Sequence, residues 1–418
     1  MKILYLVFEA LLGGHVLSAS TVAREMQSRG HAVVFAGKRG RMSAAIEESM
    51  PFFDVEIPVY HGERQTYFTW RSFAVVQRLR RLLREQQVEL VHAFDARSYM
   101  HAYLAALLEG IPVVCTLCGG VDPYYNLPAA AKIIVFSEEQ RRRMTETWRW
   151  PPERVEVIRT RLDVKRILDP ASRLPQEELR RLGIDPDRPK LFMITSFGGL
   201  KIKGIHSLLA AVDLVRERFP VQMVFIGGSE AKDNAVVLQG SALNAKYGDK
   251  TVVMVDPVPD AFRFLQHADV VLGVGRSAFE GMAYGKPTIV VGNTGFAGVV
   301  APEDIDAIAY YNFSGRNRPD TAPAEVLASE ILSLLTDEAR RQTVGEFGRE
   351  YVMREFDVKR GAERIETVYA ELRSNRFPPA AQGISFGACF FPVMRDNVLH
   401  RPKSIVRSMI NRISPPSR

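Results

Sequence analysis

The 418-residue sequence predicts an α/β protein with two Rossmann-like, doubly wound domains that face a central cleft, followed by a basic C-terminal extension. Three observations lead to this prediction. The chain is too long for one hydrophobic core, since domains usually contain about 100–200 residues. Short apolar runs alternate with helical patterns in both halves, which is typical of parallel βαβ units. The alternation pauses at residues 168–189, which are rich in Pro, Arg and Asp, and then resumes.

The first half predicts a parallel sheet with helices between its strands. A Gly-Gly turn precedes a helix over Ser18–Arg29, and Gly30 lies where a left-handed helix cap belongs. The arginine-rich segment Phe73–Glu85 predicts an exposed helix. Strands are predicted at Ile3–Phe8, Ala32–Ala36, Val88–His92, Pro112–Thr116, Lys132–Phe136 and Val155–Ile158.

The second half repeats this pattern, with a helix over Ile205–Arg218 and closing segments at Glu338–Arg354 and Val358–Arg373. Its strands are predicted at Leu191–Thr195, Gln222–Ile226, Thr251–Val255, Val270–Val274 and Thr288–Val291. The predicted division is an N-terminal domain at 1–168, a C-terminal domain at 169–354, a closing helix at 355–375 and a basic tail at 376–418. A ligand is expected between the domains, facing the carboxyl ends of the strands.

Composition excludes several classes of protein. Three cysteines do not make a disulfide framework, which favours a reducing compartment. Glu9 interrupts the apolar N-terminus and no apolar stretch is long enough to span a bilayer, so a cytoplasmic protein is expected. Residues 376–418 carry +6 of the net charge of +7, so the basic excess does not indicate nucleic-acid binding by the body. No zinc cluster or nucleic-acid motif is present in the sequence.

The first turn that could bind phosphate contains Gly13 and Gly14, directly after the first strand. Glycine lets a phosphate approach the backbone amides that open the next helix. An ordinary tight turn explains the pair equally well. The spacing does not fit the G-x-G-x-x-G fingerprint, so a nicotinamide-dependent dehydrogenase is disfavoured.

The second such turn, residues 196–204, adds two lysines to its glycines. Lysine ammonium groups can stabilise the charge that develops on a departing diphosphate, whereas an exposed loop is the alternative interpretation. A Walker A loop is excluded because Gly204 is followed by Ile205. The candidate residues of this turn are Gly198, Gly199, Lys201 and Lys203.

The third signal is the segment Gly273–Pro287, which precedes an apolar strand. Ser277 and Glu280 have the spacing of a capping box, which would make Glu280 a structural helix cap. Alternatively, a carboxylate in the first helical turn beside the cleft can bind ribose hydroxyls. Both interpretations stay open, and Arg276 and Ser277 are included with Glu280 in the predicted donor site.

Two further groups could contact a sugar or an acceptor. Asp95 and Asp122 each follow a predicted strand, although a helix cap or a turn residue is the favoured interpretation of both. Tyr67, Phe68 and Trp70 could line an acceptor groove or pack on the surface.

These motifs resemble family 4 of the glycosyltransferases, which have the GT-B fold, from about residue 1 to residue 373. The resemblance implies that Glu280 binds the donor ribose and that Lys203 binds the diphosphate. It also implies that Asn293, Thr294 and Gly295 lie near the phosphates and the sugar. The matching segments are Gly13-Gly14-His15 with Arg29-Gly30-His31, residues 151–163, Lys203-Gly204 with Leu208-Leu209, and Glu280–Pro287.

The sequence departs from the family pattern mainly on the side that would contact the sugar. The family has a second acid eight positions before the ribose glutamate, and Leu272 occupies that position here. Gly198 replaces an arginine, Cys118 replaces a histidine, and Thr160-Arg161 replaces an Asn-Gly pair. Nucleotide binding is therefore better supported than the usual catalytic geometry.

The expected activity is transfer of a hexose-type sugar, with retention, from a nucleotide-diphosphate sugar to a glycan, lipid-linked or small-molecule acceptor. Lys203, Lys201 and the amides near Gly13-Gly14 and Gly198-Gly199 would stabilise the leaving diphosphate, so neither metal nor cofactor is expected. The alternatives are a sugar-nucleotide epimerase of the same architecture and a non-catalytic nucleotide-sugar-binding relative.

The tail lies outside the resemblance. Its apolar residues between Arg401 and Ile413 fall on one helical face bordered by arginines, which fits a helix on a membrane surface near a lipid-linked acceptor. Docking on the body or on another protomer would fit the same pattern. These apolar residues are Ile405, Val406, Met409, Ile410 and Ile413.

Overall fold

The chain forms two compact units in a computed structural model. Unit 1 contains Met1–Phe136, Gln140–Ile158 and the described residues from Ala362 onward, and unit 2 contains Ser137–Glu139 and Arg159–Gly361. The structure describes residues 1–395 apart from 59–67, 70, 120–125, 130–131, 160–161, 198–201, 228–233, 293–295, 319–322 and 375–377.

Unit 1 contains a seven-stranded sheet in which every pairing is parallel, in the order β3-β2-β1-β4-β5-β6-β7. Its strands are β1 (Lys2–Glu9), β2 (Ala32–Lys38), β3 (Phe52–Asp54), β4 (Leu90–Phe94), β5 (Val113–Leu117), β6 (Ile133–Val135) and β7 (Val155–Val157). The helices between them are α1 (Gly14–Ser28), α2 (Ser43–Glu47), α3 (Ser72–Glu85), α4 (Ala96–Glu109) and α5 (Glu138–Glu146).

Unit 2 contains a six-stranded sheet in the order β10-β9-β8-β11-β12-β13, parallel except for the antiparallel pair β12 and β13. Its strands are β8 (Lys190–Ile194), β9 (Gln222–Ile226), β10 (Val252–Val255), β11 (Val270–Gly273), β12 (Thr288–Val291) and β13 (Phe296–Val299). Its helices are α6 (Val164–Leu168), α7 (Gln176–Arg181), α8 (Ile202–Arg216), α9 (Ala235–Tyr247), α10 (Arg276–Ala283), α11 (Ile305–Tyr310), α12 (Ala324–Thr336) and α13 (Glu338–Glu355).

These sheets confirm the predicted two-domain, doubly wound α/β fold. The apolar runs form strands because parallel strands are buried on both faces, and β4 and β5 contain only buried residues. The α6 segment belongs to unit 2, although the sequence analysis placed it at the end of the first domain. Among the described helices, none is both long and apolar enough to cross a membrane.

The next helix, α14 (Val358–Ser374), returns the chain to unit 1. Buried Tyr369 contacts the Tyr5 hydroxyl at 2.9 Å and the Nδ1 atom of His92 at 2.7 Å. The Nε2 atom of His92 lies 2.7 Å from the Thr116 hydroxyl. Buried polar groups need hydrogen-bond partners, and these four side chains provide them for one another. The resulting chain of hydrogen bonds joins α14 to strands β1, β4 and β5.

The last described helix, α15 (residues 379–395), begins the segment that the sequence analysis treated only as a basic tail. Phe386 and Val393 are buried in the core of unit 1. The Phe386 ring packs against Phe68 with a centroid distance of 5.8 Å. This part of the extension is therefore a packed element of unit 1.

Candidate functional site

Each sheet has one point at which the strand order reverses, and ligands of doubly wound proteins bind outside the carboxyl ends of the strands at that point. In unit 1 the reversal lies between β1 and β4, and in unit 2 it lies between β8 and β11. Since the strands at both points are parallel, the turns that follow them share one edge of each sheet.

In unit 1, the turn after β1 contains the predicted Gly13-Gly14 pair. Gly13 is the N-cap of α1 and has extended dihedral angles, with φ −162° and ψ 156°. A Cβ atom at Gly13 would lie 3.4 Å from its nearest described neighbour, the Nδ1 atom of His15. Neither the backbone conformation nor packing among the described residues therefore requires glycine here. The first amides of α1 point outward at this edge, as at every helix N-terminus.

Asp95 follows β4 at the same edge of unit 1, but its carboxylate has a structural role. One oxygen accepts a hydrogen bond of 2.7 Å from the Ser98 amide and caps α4, and the other accepts one of 3.0 Å from the Phe8 amide on β1. Desolvation raises the pKa of Asp95 to about 6, against the lowering effect of these hydrogen bonds. The backbone of Asp95 has a φ of 120°, which is a strained conformation for a residue with a side chain. The hydrogen bonds from the two amides hold the residue in this conformation.

Of the three residues predicted to line an aromatic groove, the structure describes Phe68, and its position does not support the groove. Phe68 is fully buried, and its ring lies 5.0 Å from the His101 ring and 5.4 Å from the Phe73 ring. It is a core residue, so the expectation that Phe68 lines an acceptor groove is wrong. Tyr67, Trp70 and Asp122 lie outside the described residues.

In unit 2, the turn after β8 leads into α8, whose first turn carries the exposed Lys203. The next residue, Gly204, packs so closely that a Cβ atom there would lie 2.8 Å from the Gly292 carbonyl oxygen. Glycine thus lets the N-terminus of α8 lie against the chain directly after β12. The predicted residues Gly198, Gly199 and Lys201 lie outside the described residues.

The turn after β11 leads into α10, which begins at Arg276 with Gly275 as its N-cap. Gly275 has a φ of 52°, a conformation that favours glycine, and its amide donates to the Phe313 carbonyl at 2.9 Å. The capping-box prediction is wrong, because the N-cap is Gly275 and Ser277 and Glu280 lie two residues too far into the helix. The Ser277 hydroxyl instead contacts the backbone N and O of Val274 at 3.3 Å and 3.1 Å.

Glu280 is buried and pairs with Arg276 one turn earlier, with 2.8 Å between Oε1 and the arginine Nε. In the described part of the chain, no hydrogen bond reaches its second oxygen, Oε2. Burial raises the pKa of Glu280, and Arg276 acts in the opposite direction. A buried carboxylate with one oxygen held by an arginine can accept hydroxyl donors at the other.

Leu272 occupies the position of the family's second acid. This residue is fully buried in β11, where it pairs with Met193 and Ile289 on the neighbouring strands. A carboxylate at this position would be buried in the sheet, and only Val274 and Gly275 separate β11 from α10. The side chain at the position of the family's second acid is therefore apolar and buried in the sheet.

The turn at Asn312-Phe313, which supports α10, is not among the elements predicted from the sequence. Both residues have a φ of 53°, and the Phe313 ring packs edge-on against Phe279 of α10 at 4.9 Å. Asparagine tolerates the left-handed conformation and could have indicated a turn, whereas no local pattern marks Phe313. This strained turn positions the Phe313 carbonyl, which accepts the hydrogen bond from the Gly275 amide.

The remaining predicted donor residues, Asn293, Thr294 and Gly295, lie outside the described residues. Among the residues that are described, no three His, Cys, Asp or Glu side chains form a cluster that could hold a metal ion. The described candidate site therefore consists of Lys203 at the start of α8 and Arg276, Ser277 and Glu280 at the start of α10.

Two Rossmann-like units with polar helix N-termini at the strand reversal define a class of nucleotide-binding α/β proteins. Family models refine this class. The model "Glycosyltransferase Family 4" matches residues 12–166, and "Glycosyl transferases group 1" matches residues 188–337. The chain belongs to the family 4-like glycosyltransferases of the GT-B fold and is a nucleotide-sugar glycosyltransferase.

Two curated proteins show sequence similarity. Spore coat protein SA of Bacillus subtilis (strain 168) is 25% identical over 264 residues, covering 59% of this chain and 67% of that protein. The capsular polysaccharide biosynthesis glycosyltransferase CapM of Staphylococcus aureus is 24% identical over 177 residues, covering 41% of this chain and 43% of that protein. The similarity to CapM thus spans less than half of either protein.

A solved structure shares the fold over nearly the whole chain. Anabaena Alr3699/HepE, crystallised in complex with UDP-glucose, has a TM-score of 0.67 and 16% sequence identity. The alignment covers 89% of this chain and 100% of that chain. At this identity the similarity establishes the fold alone.

Proposed function

We propose that this enzyme transfers a sugar, with retention, from a nucleotide-diphosphate sugar to an acceptor hydroxyl during glycan biosynthesis. The observation that carries the proposal is the position of Lys203 and Arg276 on the first turns of α8 and α10, with Glu280 one turn after Arg276. These helices follow β8 and β11, the two strands at the reversal of the unit 2 sheet.

The proposed donor contacts follow from the chemistry of these groups. Glu280 accepts hydrogen bonds from the ribose hydroxyls through the oxygen that Arg276 does not hold. Hydrogen bonds to charged groups contribute about 1.5–3 kcal/mol. The amides that open α8 and α10 and the exposed Lys203 ammonium group bind the diphosphate, because helix N-termini carry partial positive charge.

The same groups are proposed to act in the chemical step. As the bond between the sugar and the diphosphate breaks, negative charge grows on the leaving oxygen, and Lys203 and the helix amides stabilise it. Gly198, Gly199, Lys201 and the loop Asn293–Gly295 remain proposed members of this site. Gly13 and Gly14 of unit 1 are proposed to offer backbone amides to the donor, since neither conformation nor described packing requires glycine at residue 13.

Several observations support a role in glycan biosynthesis inside the cell. The name of CapM refers to capsular polysaccharide biosynthesis, and Alr3699/HepE was crystallised with UDP-glucose. Cys115, Cys118 and Cys389 are free thiols, as expected in a reducing compartment. We place the enzyme in the cytoplasm with a lipid-linked or other glycan acceptor. Residues 401–413 are proposed to contact the inner membrane surface.

A thermal-shift screen tests donor binding, because a ligand that binds only the folded state raises the unfolding midpoint. A panel of UDP, GDP, ADP and dTDP sugars is compared with the free nucleotides, and at least one UDP sugar should raise the midpoint. Radiolabelled sugar and a lipid extract then test transfer. Conversion of the donor without acceptor would indicate an epimerase, and tight binding with no product would indicate the non-catalytic alternative.

Proton NMR of the first product tests retention, since it distinguishes the two anomers. The anomeric configuration of the donor should persist in the product. An inverted anomer would refute the retaining mechanism while leaving the transferase assignment unchanged.

Removal of residues 396–418 tests the tail. The truncation follows Arg395 because α15 supplies Phe386 and Val393 to the core of unit 1. Loss of tail-dependent binding to anionic vesicles, with an unchanged unfolding midpoint, is the expected result. Equal binding of the two chains would refute a membrane role of the tail.

A further inference from the structure

A cavity of about 600 Å³ lies in unit 2, and none of the candidate donor residues lines it. We name it the edge cavity, because two of its lining residues, His267 and Tyr284, directly precede β11 and β12 at the amino edge of the sheet. Arg276 begins α10 at the carboxyl end of β11, which is the opposite edge. Pockets for small molecules usually have volumes of about 300–1,000 Å³. The edge cavity is therefore a second candidate binding site.

Hydrogen bonds to the backbone fix the walls of the edge cavity. The Tyr284 hydroxyl donates to the Ile167 carbonyl at 2.8 Å. The Nε2 atom of His267 lies 2.8 Å from the Leu174 carbonyl oxygen. These contacts join residues 167–174 to the segments that precede β11 and β12. Since the walls are already held in place, binding of a ligand costs little ordering of the protein.

The contact with Leu174 determines which hydrogen bonds His267 can make in the edge cavity. A carbonyl oxygen only accepts hydrogen bonds, so Nε2 is the ring nitrogen that carries the proton. Burial lowers the pKa of His267, and Lys190 and Lys286 act in the same direction, whereas the hydrogen bond to Leu174 opposes them. The ring is therefore neutral at pH 7, and Nδ1 is an acceptor. In the described part of the chain, no hydrogen bond reaches Nδ1.

Two neighbouring residues of the lining also present acceptors. Gln266 donates through Nε2 to the Arg263 carbonyl at 2.7 Å, and no described donor reaches its amide oxygen. One carboxylate oxygen of Asp169 accepts from the Ala171 amide at 2.9 Å, and no described donor reaches the other oxygen. The lining thus offers an amide oxygen, a carboxylate oxygen and a ring nitrogen, and each of them accepts hydrogen bonds.

The charge and the apolar surface of the lining narrow the class of ligand. Asp169 and Arg173 are the charged residues of the lining, and their opposite charges do not select a phosphate or another strong anion. Ile167 and Leu174 are buried apolar residues of the lining, and Tyr284 adds an aromatic ring. The complementary ligand is uncharged, has several hydroxyl donors and has one apolar face. A sugar ring combines these properties, because its C–H face packs on apolar side chains while its hydroxyl groups donate to acceptors.

We propose that the edge cavity binds a neutral saccharide at a site distinct from the donor site. A free sugar and a sugar unit within a glycan chain present the same hydroxyl groups to the three acceptors. A nucleoside fits less well, because the ring nitrogens of its base would face acceptors of the protein. The proposal concerns binding alone and does not depend on sugar transfer.

Isothermal titration of the full chain with sugars tests the proposal, with no nucleotide present. At least one of glucose, N-acetylglucosamine, maltose and chitobiose should bind with a dissociation constant of about 1 mM or lower. Tighter binding of the disaccharides would support a glycan chain as the source of the ligand, and tighter binding of the monosaccharides would support a free sugar. Absence of binding by all four sugars, or tighter binding of adenosine than of any sugar, would overturn the proposal.

Two substitutions remove one acceptor each while they keep the internal hydrogen bond of the residue. His267→Gln retains an N–H donor for the Leu174 carbonyl but has no second ring nitrogen. Asp169→Asn retains an oxygen for the Ala171 amide and replaces the other oxygen with an N–H donor. Each variant should bind the best sugar about tenfold more weakly than the native chain.

Asp163→Asn is the matched control. Asp163 caps α6 through the Arg166 amide at 2.9 Å and does not line the edge cavity. Its sugar binding should stay within about twofold of that of the native chain. Unchanged unfolding midpoints in the three variants establish that the fold is intact. Native affinity in both His267→Gln and Asp169→Asn would overturn the proposal.

A fourth variant distinguishes the edge cavity from the donor site. Glu280→Gln should bind the sugar within about twofold of the native chain, because Glu280 does not line the edge cavity. Loss of sugar binding in this variant, with native binding by His267→Gln, would assign the sugar to the donor site and overturn the proposal. Failure of every nucleotide sugar in the thermal-shift screen would instead refute the proposed function and leave the sugar titrations unaffected.

Discussion

Asp95 in unit 1 and Glu280 in unit 2 occupy comparable places, since each follows a strand at the reversal point of its sheet. Their surroundings differ. Both oxygens of Asp95 accept backbone amides, from Ser98 on its own helix and from Phe8 on the neighbouring strand. Glu280 pairs through one oxygen with Arg276, another side chain of the same helix.

This difference separates a structural carboxylate from a binding one. The amides that hold Asp95 are fixed parts of the backbone, so a ligand could reach this carboxylate only by breaking the cap and the contact with β1. An arginine side chain can move or bind a phosphate while it keeps one carboxylate oxygen. We therefore expect substitutions of Asp95 to change stability and substitutions of Glu280 to change donor binding.

The largest expected effect is that of Asp95→Ala on the free energy of unfolding. The variant loses the cap of α4 and leaves the Phe8 amide without its partner, which should cost about 3 kcal/mol. Asp337→Ala is the matched control, because Asp337 caps α13 through the Arg340 amide at 2.9 Å. It should cost about 1 kcal/mol. Urea unfolding measures both, and equal losses would refute the special role of Asp95.

Glu280→Gln should weaken binding of the nucleotide-sugar donor by about 10- to 100-fold, because a neutral amide replaces a charged acceptor. Its free energy of unfolding should change by less than about 1 kcal/mol, since burial already disfavours the charged form. The control is Glu325→Gln, an exposed acid in the first turn of α12. Isothermal titration gives the dissociation constants. If Glu280→Gln bound the donor with the native dissociation constant, Glu280 would not be a binding carboxylate and would not differ from Asp95 in this respect.

Most of the fold was predictable from the sequence, because fully buried parallel strands read as apolar runs bounded by turns. The predicted strands Gln222–Ile226 and Thr288–Val291 coincide with β9 and β12. The start of α10 was not predictable, since the spacing of Ser277 and Glu280 imitates a capping box. The helix begins earlier because Gly275 adopts a positive φ and bonds to Phe313, 38 positions later in the chain.

The role of Asp95 also required the tertiary structure. A cap on Ser98 is a local pattern, but the contact with Phe8 joins residues 87 positions apart. The packing of α15 on unit 1 is equally non-local, because it depends on aromatic contacts with Phe68. Sequence periodicity reports a helix and its faces, whereas it does not identify the partner that covers each face.

His92 and Asp95 are buried in unit 1, and their pKa shifts predict how the stability of the protein depends on pH. Burial lowers the pKa of His92 to about 3 and raises that of Asp95 to about 6. Below pH 6.5, protonation of unfolded His92 therefore reduces stability as the pH falls. Between about pH 4 and pH 6, Asp95 is protonated in the folded state first, which raises stability as the pH falls. The two contributions oppose each other in this range.

As the pH falls from 6 to 4.5, the free energy of unfolding of Asp95→Asn should therefore decrease by about 2 kcal/mol more than that of the native protein. Over the same range, the free energy of unfolding of His92→Gln should decrease by less than that of the native protein. The profile of the double variant should resemble that of the native protein. Urea unfolding at several pH values measures the profiles. Parallel profiles for all four proteins would show that neither group has the pKa that its burial indicates.

The smallest expected effect is that of Lys203→Gln. Lys203 is exposed, so water and salt screen its attraction to a diphosphate, and the donor should bind about three- to tenfold more weakly. Binding of the nucleoside without phosphates should stay unchanged, because only the phosphates carry the charge that lysine contacts. Lys165→Gln, an exposed lysine on α6, controls for net charge. If Lys203→Gln weakened nucleoside binding equally, its effect would come from disturbing α8. A loss that is confined to phosphorylated ligands and shrinks at high salt would instead establish Lys203 as the phosphate contact that complements Glu280.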